Sequence, residues 1–441
     1  MDAAQTITHV LDRLSLGAKP GDRTQLEQAG IGTYLQRQLN AAGTPEPPAL
    51  TDRLQALTVL DYPPVALFEQ YAAPENPSME ELEQAKQRQL QVLQAAEQAR
   101  LLRALASPHQ LQEVMVDFWF NHFNVYGEHG LARIWTAHYE QTAIRPHALG
   151  SFRALLGATA KHPAMLFYLD NWLNIAPNSR APRHRLGGIN ENYARELIEL
   201  HTLGVNGGYS QADVENLARI LTGWSCVYHN QPSPDDSGFV FAGVHHDPTD
   251  KVLLGETILG GADDEAGLAE GEAALDLLAH HPATARHISY KLAQHFVAEV
   301  PPDELVSQLT ERFLQTDGDI RLVLATLFES AEFWNPAHYQ RQFTTPYRYV
   351  MAIARALGMT LPSVTELTWL LGAIAQLGMP LYRCQTPNGY AQVGSAWLNP
   401  TAMLQRISLA IAAANLPADS PQSYPQSYPQ TYPQILPCQM P

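Results

Sequence analysis

The densest run of chemistry-bearing side chains is Ile189-Asn190-Glu191-Asn192-Tyr193-Ala194-Arg195-Glu196-Leu197-Ile198-Glu199-Leu200-His201-Thr202-Leu203-Gly204. Taken as a helix stopped at Gly204, it turns by about 100° per residue and sets Asn192, Glu196 and Glu199 within an arc of about 60°. That arc overlaps Leu203 and borders Tyr193 and Leu200. The two carboxylates therefore run along the margin of an apolar face, partly buried. Carboxylates so placed raise each other's proton affinity, bind a cation or pair with arginine. The functional reading is a proton-transfer pair, or a pair of ligands for a divalent metal. The structural reading is a buried network closed by Arg195, Arg219 or Arg286. His201 points roughly the opposite way.

Two further segments carry titratable groups. In Met115-Val116-Asp117-Phe118-Trp119-Phe120-Asn121-His122-Phe123-Asn124 the aromatic density predicts a helix buried on nearly all sides. Asp117, Asn121 and Asn124 share one face there. His122 lies on another, beside Phe118, and reads either as a hydrogen-bonded core residue or as an assistant to the carboxylates. His245-His246-Asp247-Pro248-Thr249-Asp250-Lys251 is a polar loop. In it the His246–Asp247 pair could orient an imidazole for base catalysis or hold a metal, or simply form a turn. Asp317-Gly318-Asp319 reads as a turn and helix N-cap, because the twelfth position from Asp317 is Phe328 rather than the glutamate a calcium loop needs. The phosphate-binding GxxxxGK[ST], the GxSxG elbow, HExxH, and GxGxxG after a strand do not occur.

The elements that must position these groups are mostly helical. Residues 79–106 hold no Gly or Pro and predict one helix about 40 Å long at ~1.5 Å rise per residue, either a surface arm or packed along one stripe. Ile320, Val323, Leu324, Leu327 and Phe328 follow core-facing helical spacing behind an Asp319 cap. Pro282 opens a helix running to about Val297. Further helical patterns recur from residue 5 to 376. The stretch 226–266 reads instead as a small β-type excursion, with short apolar runs between turn residues. Residues 377–400 read as an ordered loop. From Pro421 a four-residue unit repeats Tyr424, Tyr428 and Tyr432 in an extended, proline-rich tail. That tail is either a loose end or a docking segment for a protein partner or a second copy of the chain. The organisation expected is one large helical domain over 1–417, with a sub-boundary open near 226–266, and a tail over 418–441.

Composition excludes several classes. Among 441 residues, 44 acidic against 28 basic side chains give a formal charge of −16, which disfavours nucleic-acid binding. A hydrophobic content of 45% with 16% charged residues provides for a large core and excludes global disorder. Three cysteines without a CxxC pair give neither a disulfide framework nor that zinc motif. The N-terminal MDAAQTITHVLDRLSLG lacks a basic-then-apolar leader, and apolar runs fall short of the ~18 residues a span requires. The expectation is a cytoplasmic protein without a membrane span; an exported form whose signal has been removed stays open.

Several motifs occur in order: THVLDRLSLGAKPGD, VDFWFNHFNV, ENYARELIELHTLGVNGGYSQADVENLARILTGW, HHDPTDKVLLG, HPATARHISYKLAQHFVAEVPP, DGDIRLVLATLFESAEFW and PNGYAQVGSAWLN. On these the chain resembles, over roughly residues 7–410, a large bacterial family called domain of unknown function 1800. The resemblance implies a largely helical body and assigns no activity. Arg348 stands where it implies an acidic residue, and the Tyr-Pro tail lies outside it. Two functional readings follow. One is an acid–base or metal-assisted hydrolase using Glu196 and Glu199 with His122 or His246–Asp247. The other is a non-catalytic assembly or binding protein using the 79–106 helix and the tail.

Overall fold

In the computed structural model the described residues are 1–40, 44–177, 179, 188–229, 231–261 and 263–415. Tyr424, Tyr428 and Tyr432 lie outside them. Nineteen α-helices and two short two-stranded antiparallel ribbons make up the described elements. The body is mainly α, as the periodicity and the family resemblance imply.

Its axis is the Met79–Ala106 helix, opened by a reciprocal cap in which Ser78 and Glu81 each accept from the other's backbone amide. The helix begins exposed, and from Val92 onward it is embedded rather than packed along one stripe. Alanines at 95, 96, 99, 104 and 106 let neighbours approach closely, while Glu97 and Arg100 find buried partners of opposite charge. Against it lie Ala132–His138 and Pro346–Ala356. The Gln110–His122 helix is buried on nearly every side, as its aromatic density predicts. One contiguous apolar cluster gathers side chains from Leu14 to Ala413.

The Asp117/Asn121/Asn124 face finds its reason in this core. Asp117 meets Arg100 at 2.5 Å. Asn121 exchanges two hydrogen bonds with the Tyr390 backbone, at 2.9 and 2.7 Å. Asn124 donates to the carbonyls of Cys384 and Thr386. The stripe pins the ordered loop after residue 377 to the core. Its Gly389 is obligatory, since a Cβ there would come within 2.2 Å of the Asn121 carbonyl.

The β part comprises Trp224–Cys226 paired with Phe239–Phe241, and Lys251–Leu253 paired with Glu256–Ile258. Leu254 and Gly255, both at positive φ, close the second hairpin as a tight two-residue turn. Trp224, Ser225 and Cys226 are all buried, so the first ribbon is part of the core. Asp319 accepts from the Leu322 amide and caps Ile320–Glu329, as expected. Among the described residues no helix is long and apolar enough to cross a membrane.

Candidate functional site

The carboxylate-bearing helix starts at Asn192, where the Asn190 side chain accepts from the Asn192 amide at 3.0 Å. It is α-helical through Glu196 and then widens into a π-turn over Leu197–Thr202, in which the Thr202 hydroxyl donates to the Leu197 carbonyl at 2.6 Å. Such wide turns concentrate at functional sites. Gly204 ends the helix at φ +83° with the His287 ring against it.

Glu196 and Glu199 are both half-buried on this helix. Tyr209 donates its phenol hydrogen to Glu199 at 2.9 Å. None of the three arginines that could have closed a structural network does so. Arg195 goes to Glu191 at 3.0 Å and to Gln211, Arg219 to Asp247 at 2.8 Å, and Arg286 to Asp303 at 3.1 Å. Among the described residues neither Glu196 nor Glu199 forms an ion pair. Burial, then the neighbouring Glu199 charge, pushes the Glu196 carboxyl up to about 7, and Arg195 opposes this only in part. Burial and the bond to Glu199 push Tyr209 up to about 12, so it remains a donor. Tyr168 feels the same Glu196 charge after burial and Cys384, and donates to the Gln385 carbonyl at 2.7 Å.

On another side of the helix sits His122, packed among Phe118, Trp119 and Phe123. Its Nε2 faces the His201 carbonyl at 3.1 Å, an acceptor, so Nε2 carries the hydrogen. Its Nδ1 therefore accepts from Lys291 Nζ at 2.7 Å. Burial and the Lys291 charge hold His122 well below the usual imidazole range. The same influences bring His201 to about 3 and His287 to about 4, and burial lowers the Lys291 amine to about 8. The result is a cation among three neutral imidazoles. Nε2 of both His201 and His287 lacks a partner among the described residues.

His246 and Asp247 belong to a third cluster. His246 bridges the Thr222 carbonyl at 2.9 Å and Glu270 at 3.1 Å, while Lys251 reaches Glu270 at 2.5 Å. Burial would push Glu270 up, but donors from His246, Lys251 and the Gly261 amide hold it below the usual range. Against its own burial, Arg219 and Thr249 bring Asp247 to about 2. This cluster binds the second ribbon to the helices. The fold thus brings Glu196 to Glu199 and His246 to Asp247, and no hydrogen bond or ion pair among the described residues links His122, His246 or Asp247 to the carboxylate pair. Nor do three His, Cys, Asp or Glu side chains converge there as a metal-ligand set.

Sequence reasoning misses Tyr209 and Lys291. Lys291 left a signal: it falls on the core side of Pro282–Phe296, beside the buried Ile288, Leu292 and His295. Tyr209 left none, because it lies in the connection after the helix.

The chain belongs to the family described as "Protein of unknown function (DUF1800)", matched over residues 9–436, so the match runs past the last shared motif and takes in Tyr424, Tyr428 and Tyr432, which the motifs had left outside the resemblance. No curated protein and no solved structure matches it.

Proposed function

We propose that the protein is a hydrolase working by acid–base chemistry, with Glu196 as the proton-transfer group and Glu199, fixed by Tyr209, as the charge that keeps Glu196 protonated near neutral pH. What carries the reading is Glu196 itself: a half-buried carboxyl without a cationic partner, raised to about 7 beside a second carboxylate. A general acid works best when its proton affinity matches the working pH.

The test pairs a substrate-independent titration with activity. Carbon-13 NMR of labelled glutamate side chains should show one carboxyl titrating between pH 6 and 8, absent in Glu196→Gln. Hydrolysis of a panel of chromogenic esters, phosphoesters and glycosides should show a pH limb near 7 that this substitution abolishes. All carboxyls titrating below pH 5.5 would end the proposal.

The assembly reading has its own support in the Pro400–Ala414 helix, where Met403, Leu404, Ile407 and Ile411 are 41–65% exposed along one side. Exposed apolar stripes of this kind mark contact surfaces, and a second copy of the chain would cover it with a matching stripe. Light scattering decides: a dimer that Ile407→Asp converts to monomer supports this reading, and a monomeric wild-type chain removes it.

A further inference from the structure

A cleft of about 240 Å³ opens on a different part of the molecule, between the end of the Ala3–Leu14 helix and residues 340–352. Arg13 and Arg348 both line it, with His9, Asp12 and Gln342. Two guanidiniums share this small space in a chain of net charge −16. Most other buried arginines of the core meet a carboxylate: Arg100 meets Asp117 and Glu140, Arg145 meets Glu113, Arg355 meets Asp22 and Arg383 meets Glu97. Arg13 and Arg348 do not. Among the described residues neither lies within ion-pair distance of a carboxylate: Asp117 and Asp12 act on Arg348, and Asp12 on Arg13, only from further away, and Asp117 is in contact with Arg100.

Backbone carbonyls hold the two side chains in place. Arg348 donates through Nη2 to the carbonyls of Asp12, Arg13 and Ser15 at 2.9, 3.3 and 3.2 Å, closing the C-terminal end of the first helix. Arg13 donates through Nη2 to the carbonyls of Val297 and His338 at 3.3 and 2.8 Å. These bonds fix the forks without neutralising them. No acceptor among the described residues meets Nε or Nη1 of Arg13, and Nη1 of Arg348 meets only His295 Nε2 at 3.4 Å. Two more polar atoms of the cleft's lining, His9 Nε2 and Gln342 Oε1, are buried without a partner among the described residues. Gln342 is oriented by its amide nitrogen, which donates to the Gln294 and His295 carbonyls and so leaves the oxygen over.

From this arrangement we propose that the Arg13–Arg348 cleft binds a phosphate-type oxyanion, either free phosphate or the phosphate of a monoester. Paired guanidinium forks match the oxygens of a tetrahedral anion, and an anion held between them relieves their mutual repulsion. Gln342 Oε1, an acceptor, suits the hydroxyl of a hydrogenphosphate. The volume is below the ~300–1,000 Å³ of drug-sized sites, which fits a small anion or the head of a larger ligand. Burial, then the Arg348 charge, lowers Arg13 only to about 10, so it stays cationic at neutral pH.

The experiment is thermal unfolding of the full chain at pH 7.5 in sodium phosphate against sodium chloride of equal ionic strength, with glycerol 2-phosphate as a third arm. Phosphate should raise the midpoint by about 3 °C or more. A matching shift in the third arm identifies an ester as an admissible ligand, and a shift with inorganic phosphate alone identifies the free ion. Arg348→Gln and Arg348→Glu should both abolish the shift, and both should lower the midpoint in chloride, because the carbonyls of Asp12, Arg13 and Ser15 lose their donor, the more so for the glutamate, whose charge faces the helix C-terminus. Equal wild-type midpoints in all three salts, or a phosphate shift retained by both variants, would overturn the proposal.

Discussion

Glu196 shows how one residue's surroundings set its chemistry. Its folded proton affinity lies above that of a carboxyl in the unfolded chain, so the folded state binds the extra proton between the two values. The wild-type protein is therefore unpenalised below the ordinary carboxylate range and loses stability as pH rises through about 7. Glu196→Gln has no proton to lose. It should be within error of wild type at pH 4.5 and more stable at pH 8, by on the order of 1–2 kcal/mol after discounting for its half-exposed position. Urea midpoints at the two pH values check this; a difference that does not grow with pH would show that Glu196 is charged and relaxed at neutrality. The position of Glu196 and Glu199 on an apolar margin is legible from spacing alone. That two of the surrounding arginines are engaged elsewhere is not, since Arg219 and Arg286 are claimed by carboxylates outside their own helical pattern, Asp247 and Asp303.

At the scale of elements, the helix carrying these groups depends on where it stops. Gly204 sits at φ +83°, and an added Cβ would come within 2.8 Å of His287 Nδ1. Gly204→Ala should cost about 1–2 kcal/mol from the left-handed backbone alone, with a further loss from displacing the imidazole. An unchanged urea midpoint would mean that the turn relaxes freely and that His287 is not wedged there. Gly204 as the stop, the bounds of Met79–Ala106 and the cap at Asp319 follow directly from local chemistry, because a cap or a helix-stopping glycine acts within a few residues. The π-turn over Leu197–Thr202 does not: a constant 100° per residue describes the chain only as far as Glu196. The fate of Met79–Ala106 is half legible. Its length is a property of its own residues, whereas its embedding depends on neighbours supplied from 132–138 and 346–356.

Across the whole molecule, buried charge ties distant segments together. Glu140, on the π-turn Tyr139–Ile144, accepts from Arg100 at 2.9 Å, from Arg145 at 3.4 Å and from the Tyr382 phenol at 2.8 Å. Arg100 and Arg145 carry the connection on to Asp117 and Glu113. One network therefore joins the central helix, the aromatic helix and the loop that Asn121 and Asn124 also pin. Tyr382 is 242 residues from Glu140 in sequence, a separation at which no local pattern reports a pairing. Buried networks of this kind contribute little over a well-packed apolar replacement, but removing one member strands the others. Burial alone would push the Glu140 carboxyl up, yet Arg100 and Arg145 outweigh it and hold the group below the usual range. Its charge therefore contributes stability that is present above the ordinary carboxylate value and lost as pH falls through the folded one. Glu140→Gln should lower stability at pH 7 by about 3–5 kcal/mol, and the gap to wild type should narrow towards pH 3.5, because below the ordinary carboxylate value the unfolded chain takes up this proton before the folded one does. Denaturation of both proteins at the two pH values measures this. A gap that is the same at each pH would show that the loss comes from disturbed packing around residue 140 and not from its charge.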